Sequence, residues 1–108
     1  MFEPSRHVMT FNVAGFQFWD GAPVVGSIQA GDELELVPEP DNPHDPEAVA
    51  LRWHGTKLGY VPASQNHLVA LLAHFGHGDV LECRVIKADP KLDPWDQVTA
   101  AVYVRDAR

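Results

Sequence analysis

The chain has 108 residues, 45% of them hydrophobic, and a formal net charge of −7 at pH 7. That length suits one folded core, and the apolar content is too high for a disordered chain. The acidic balance argues against a protein that coats long duplexes, because binding by phosphate neutralisation requires a basic surface.

The start of the chain, Met1-Phe2-Glu3-Pro4, has neither a basic head nor an apolar core, so no secretory signal is expected there. Residues 8–14 alternate Met9, Phe11 and Val13 against Val8, Thr10 and Asn12, which predicts a first strand. Phe16, Phe18 and Trp19 follow, then Asp20-Gly21. Gly21, Pro23 and Gly26 limit residues 20–29 to a short turn or helix at most. Leu34 and Leu36 alternate with Glu33, Glu35 and Val37 in a second strand. Val49, Leu51 and Trp53 oppose Ala48, Ala50 and Arg52 in a third, and His54-Gly55 turns the chain into a hairpin partner over residues 57–61. Ser64 reads as a helix N-cap and Gly76 as the residue just past the C-terminus. Between them Leu68, Leu71, Leu72 and Phe75 have the spacing of one buried helical face. Leu81, Cys83 and Val85 mark a fifth strand, and Val98, Ala100, Val102 and Val104 mark a sixth after a loop holding Pro90, Pro94 and Trp95. The expected fold is mostly β with one main helix, a small antiparallel six-stranded OB-like or SH3-like barrel capped by that amphipathic helix.

The segment Glu39-Pro40-Asp41-Asn42-Pro43-His44-Asp45-Pro46-Glu47 stands out, with three prolines set among acidic residues just before a strand. Proline fixes φ and withholds a donor, which makes this an ordered loop. Two readings stand: Asn42, His44 and Asp45 hold a ligand, or they satisfy their own turn. An ionised Asp45 accepts hydrogen bonds and repels phosphate, so as a ligand group it favours a hydroxyl over an internal phosphodiester. Phe18 and Trp19 are either a stacking platform or part of the core, while Phe16 is expected inside. Base–aromatic stacking contributes roughly 1–3 kcal/mol per base.

Other chemistries find less support. Histidines 7, 44, 54, 67, 74 and 77 and the single Cys83 match no structural zinc spacing. The carboxylates of residues 41–47 lack the glycine of a calcium loop. No phosphate-binding loop, nucleophile elbow or HExxH motif is present, so no enzyme and no cofactor are expected. A lone cysteine fits a reducing compartment, and no apolar run approaches the roughly 20 residues of a membrane-spanning helix. A cytoplasmic protein without a membrane partner is expected.

Three blocks together resemble the HIRAN domain: Val13-Ala14-Gly15-Phe16-Gln17-Phe18-Trp19-Asp20-Gly21, then residues 39–49, then Leu58-Gly59-Tyr60-Val61-Pro62. The likeness covers roughly residues 8–105. HIRAN domains occur on helicase-like translocases that remodel stalled replication forks, and as stand-alone bacterial proteins, the form this short chain resembles. The resemblance implies an OB-like barrel that captures the 3′ end of single-stranded DNA without catalysis. It implies that Asp45 engages the terminal hydroxyl, with His44 beside it and Phe18 and Trp19 against the last bases. Gln17 and Tyr60 fall within the matching blocks, and Asn42 either orients Asp45 or meets a sugar. DNA-binding relatives carry a basic residue where this chain has Gln17, and a tyrosine where it has His44. One lost charge-assisted contact costs roughly 1.5–3 kcal/mol.

The expected role is thus recognition of single-stranded 3′-hydroxyl ends in DNA repair or fork processing, beside a helicase or nuclease partner. Arg52 or Lys57 is expected to meet the nearby phosphate, and Trp95 is a further stacking candidate. The rival is an acidic protein-interaction module on the same scaffold. Residues 1–51 hold nine acidic side chains against the single basic Arg6, which suits a cationic partner. A metal-dependent hydrolase is the weakest of the three.

Overall fold

The computed structural model describes residues 5–105, so the expectation for residues 1–4 lies outside the described residues. Six strands appear where alternation places them: β1 (Ser5–Asn12), β2 (Glu33–Pro38), β3 (Val49–Trp53), β4 (Thr56–Tyr60), β5 (Leu81–Ala88) and β6 (Val98–Arg105). One α-helix, α1 (His67–His74), separates β4 from β5, and 3-10 turns occupy Phe16–Phe18, Val25–Ser27, Gly78–Val80 and Pro94–Asp96. All strand pairs are antiparallel, in the order β1-β6-β5-β2-β3-β4. The inward faces carry Phe11, Leu34, Val49, Leu51, Leu58 and Val102, each at 5% exposure or less.

The expected closed barrel is corrected to an open sheet. β1 and β4 are its two edges, and they do not form a ladder. A single bridge joins Ala14, just past β1, to Tyr60 at the end of β4, through N–H···O bonds of 2.8 and 2.9 Å. Pairing stops there because the chain turns at Gly15, which has φ 69°, into the 3-10 turn Phe16–Phe18.

The helix also departs from expectation. It begins at His67, with Asn66 rather than Ser64 at the N-cap position. Its buried side chains are Val69 and Ala70, whereas Leu68, Leu71 and Phe75 are exposed at 44–66% and only Leu72 reaches the core. Both stripes satisfy helical spacing over so short a segment. The one holding small residues lets the helix approach the sheet closely, and that favours Val69-Ala70. The C-terminus is as read: Gly76 N–H bonds Ala73 O and His77 N–H bonds Leu72 O, the paired bonds of a Schellman ending.

The β3–β4 hairpin turns on His54 and Gly55, both at positive φ (48° and 82°), as a two-residue turn requires. Within the hairpin the register slips: Leu51 faces Gly59 but Arg52 faces Lys57. The extra residue on β4 changes which side chains share a face, with consequences for the site below. Cys83 is buried in β5, and burial pushes its thiol up to about 12, with a smaller push from Glu33. A thiol so protonated at neutral pH is not a nucleophile.

Candidate functional site

A cleft of about 340 Å³ opens where the β1–β4 bridge, the proline-rich loop and the approach to α1 meet. Trp19, Asn42, His44, Asp45, Tyr60 and Asn66 supply its aromatic and polar lining. Small residues, among them Ala14, Gly15, Ala48 and Ala63, make the remaining wall shallow and apolar.

The loop is ordered from within. Asn42 Oδ1 accepts from the backbone N–H groups of His44 (2.8 Å) and Asp45 (3.1 Å), which fixes the turn around Pro43. Asp45 Oδ1 accepts from the Glu47 N–H at 2.9 Å, and Oδ2 accepts from Asn66 Nδ2 at 2.9 Å. The two readings of this segment therefore coexist: the turn satisfies itself, and the carboxylate still lines the cleft. A carboxylate offers about four acceptor positions, so about two are left for a ligand. Asn66 is 2% exposed and makes no side-chain cap bond to its helix; its backbone is already helical at φ −88° and ψ −10°, and its Nδ2 donates to Asp45. Nothing in the sequence pattern singled out Asn66. An asparagine at a helix start reads as a cap, and its long-range partner becomes visible only once the loop is folded over it.

A second network underlies the first. Lys57 Nζ donates to Glu39 Oε2 (2.8 Å) and to Tyr60 Oη (2.7 Å), and it stands 3.7 Å from the Trp19 ring centroid. Tyr60 Oη donates to Glu39 Oε1 at 2.8 Å, and Asn42 Nδ2 donates to the same oxygen at 3.1 Å. The Trp19 and Tyr60 rings meet edge to face at 5.9 Å. Burial alone would push the Glu39 carboxyl up. Hydrogen bonds from Lys57, Tyr60 and Asn42, with the Lys57 charge, outweigh it and hold Glu39 below its ordinary 4.5. Burial likewise opposes the Lys57 charge, yet its bonds to Glu39 and Tyr60 raise it above 10.5.

These opposite shifts define a pH window. A depressed carboxyl contributes stability that is present above its unfolded pKa and lost as pH falls through the folded one. A raised ammonium contributes below its unfolded pKa and loses that contribution as pH climbs through its folded value. The pair therefore contributes fully from about pH 5 to about pH 10. Thermal melts of wild type and Glu39→Gln from pH 3 to pH 7 should differ most at the neutral end and converge at the acid end. A gap independent of pH would contradict the assignment.

The remaining candidates divide by position. Phe18 is 77% exposed and Trp19 40% exposed, while Phe16 is buried as expected. A Cβ on Gly15 would stand 3.9 Å from the Phe18 ring and 4.0 Å from Trp19 Nε1, so both rings flank the same rim position. Gln17, just before Phe18 on the same 3-10 turn, is exposed. Trp95, 58% exposed, lies on the Pro94–Asp96 turn, which packs against the Phe16–Phe18 turn and is tied to β1 by Asn12 Nδ2–Asp96 Oδ1 at 3.1 Å. Phe18 and Trp95 are thus exposed rings on neighbouring turns, outside the lining of the cleft itself. Arg52 lies elsewhere: it donates to Gly55 O at 3.0 Å and lines a separate depression with Asp32, Glu33 and Glu35. Lys57 contacts the cleft residues Trp19 and Tyr60 without lining the cleft, and its ammonium is engaged by Glu39, Tyr60 and Trp19 rather than facing outward as a phosphate ligand. Among the described residues, no Lys or Arg lines the cleft. Among the described residues, no cluster of three or more His, Cys, Asp or Glu could hold a metal ion. None of the described helices is long and apolar enough to cross a membrane.

Comparison with known proteins bears on the family and the fold. The HIRAN domain family profile matches residues 7–105. A crystal structure of a protein from Lactobacillus plantarum superposes with a TM-score of 0.72 at 22% identity, over 94% of this chain and 96% of that one. The HIRAN domain of human HLTF superposes with a TM-score of 0.64 at 15% identity, over 94% of this chain and 74% of that one. Among proteins with curated descriptions, none matches the chain at a significant level.

Proposed function

The chain belongs to the HIRAN domain family, and from that premise we propose that it is a non-catalytic module binding the 3′-hydroxyl end of a single DNA strand. The observation that carries this reading is Asp45, a carboxylate pre-set by Glu47 N–H and Asn66 on the wall of an apolar cleft rimmed by exposed aromatics. A terminal hydroxyl donates to one of the free acceptor positions of Asp45. An internal phosphodiester has no such donor and brings a negative charge, so the carboxylate selects the end of a strand over its middle. The terminal base lies over the small residues of the cleft against Trp19, and the preceding base stacks on Phe18, with Gln17, His44 and Trp95 at the margins. The work of such a module is to present an end to a helicase or nuclease in repair or fork processing.

Charge sets the strength. With no Lys or Arg among the described residues that line the cleft, few phosphates are neutralised, and affinity rests on stacking and the end contact. A titration of short single strands at low salt, followed by tryptophan fluorescence, tests the reading. Binding is expected with a shallow salt dependence. Phe18→Ala should weaken it about tenfold, the lost stacking being worth roughly 1–3 kcal/mol. Because that ring is 77% exposed, the melting temperature should not move. The same charge pattern favours one rival, an acidic module for a cationic protein partner. Absence of binding at high micromolar strand would favour that rival.

A further inference from the structure

The cation at the cleft is placed where it cannot neutralise a ligand phosphate, and its surroundings account for every one of its donors. An ammonium has three N–H groups. Two of those of Lys57 go to Glu39 Oε2 and Tyr60 Oη, which leaves the third for the face of Trp19, 3.7 Å to the centroid. The side chain is 11% exposed. From Lys57 the connections continue without a gap. Glu39 Oε1 accepts from Asn42 Nδ2, Asn42 Oδ1 accepts from the His44 and Asp45 N–H groups, and the Asp45 carboxylate is held in turn by Asn66. The stacking ring and the hydroxyl acceptor, which lie on different segments, are the two ends of one chain of contacts, a cation–aromatic contact at Trp19 and hydrogen bonds from Lys57 onward.

We infer that Lys57 and Glu39 are positioning residues that couple the Trp19 ring to the Asp45 carboxylate and hold the two in one arrangement across the cleft. The inference deepens the end-binding reading and rests on it for the identity of the ligand. The coupling itself needs only the contacts above. A lysine at this place serves geometry rather than phosphate attraction. The strongest cation–aromatic contacts are those removed from water, and this ammonium lies between two rings. A network with all members satisfied holds one arrangement, whereas loss of one member leaves several nearly equivalent ones.

The test uses the full chain with Lys57→Met and the milder Glu39→Gln. Without ligand, Lys57→Met should move the backbone amide resonances of His44 and Asp45 together with the indole N–H of Trp19, while resonances of β1, β5 and β6 stay in place. With a short single strand ending in a 3′-hydroxyl, Lys57→Met should bind about tenfold more weakly and lose part of its preference over the 3′-phosphate strand. Glu39→Gln should shift the same resonances, and the two substitutions combined should cost less affinity than the two separate losses added together. Resonances of the loop and of Trp19 that stay fixed in a folded Lys57→Met protein would overturn the coupling, whatever the ligand. Unchanged affinity and preference in that variant, beside a selective wild type, would overturn it as well. A wild type with no preference for the hydroxyl would instead defeat the end-binding reading, and the ligand-free resonances would still decide the coupling.

Discussion

Replacing Asp45 with alanine should weaken binding to a single strand ending in a 3′-hydroxyl by more than tenfold. A hydrogen bond to a charged acceptor contributes roughly 1.5–3 kcal/mol, which corresponds to about ten- to a hundredfold in affinity. The substitution has a second consequence that must be separated from the first. Asn66 is 2% exposed, and its amide would lose the oxygen it now donates to. Leaving that group unpaired costs about 1–3 kcal/mol of stability. Asp45→Asn provides the control. Its side-chain oxygen can still accept from Glu47 N–H, and once the Asn66 amide turns over, its own amide can donate to the Asn66 side-chain oxygen, so more stability is kept than with alanine while the charge is removed. Calorimetric titration alongside thermal melts should then show alanine losing both affinity and stability, and asparagine losing mainly affinity. Folded variants that bind as wild type would remove Asp45 from the site.

The largest effect on folding is expected at Gly59. Its φ of 152° is one that side-chain-bearing residues rarely adopt, and an added Cβ would lie 2.3 Å from Ala14 O and 2.8 Å from Val13 Cγ1. The nearer obstacle is backbone, and that carbonyl accepts the Tyr60 N–H in the bridge between the sheet edges. Gly59→Ala therefore combines backbone strain with a steric conflict that no rotamer relieves, a loss of about 3 kcal/mol or more. For a domain of this size that lowers the melting temperature by roughly 12 °C or more. Ala14 and Tyr60 both line the cleft, so binding by the folded fraction should fall too. A variant that melts within about 2 °C of wild type would mean that the bridge yields without cost.

Much of the scaffold was legible in the sequence because strand alternation is a local signal. Phe11 with Val13, and Val49 with Leu51, announce their strands, and His54-Gly55 announces the hairpin between β3 and β4. The helix was legible in extent at its C-terminus but not in phase. In eight residues rich in Leu and Ala, two stripes fit the helical period, and only the folded chain shows that Val69 and Ala70 are the ones buried. Closure of the barrel was beyond reach, because it depends on how far the chain continues past Ala14 before turning. Of the candidate site, Asn42, His44, Asp45 and Trp19 were picked out by turn chemistry and resemblance, and all four line the cleft, whereas Phe18 stands outside that lining. The connection of the four through Lys57 was not legible. Lys57 and Tyr60 lie three apart on a strand and should face opposite ways, but the register slip in β4 lets both reach Glu39. Asn66, 21 positions from Asp45, illustrates the same limit: a buried partner distant in sequence leaves no periodic trace.

The most direct test compares two oligonucleotides of one sequence, one ending in a 3′-hydroxyl and the other in a 3′-phosphate, by equilibrium binding to the wild-type chain at low salt. The phosphate removes the donor and sets its charge against Asp45. The hydroxyl strand should therefore bind at least about tenfold more tightly, a gap of roughly 1.4 kcal/mol or more. Equal affinity for the two ends would contradict the account, since a carboxylate that cannot tell a hydroxyl from a phosphate is not reading the end of a strand.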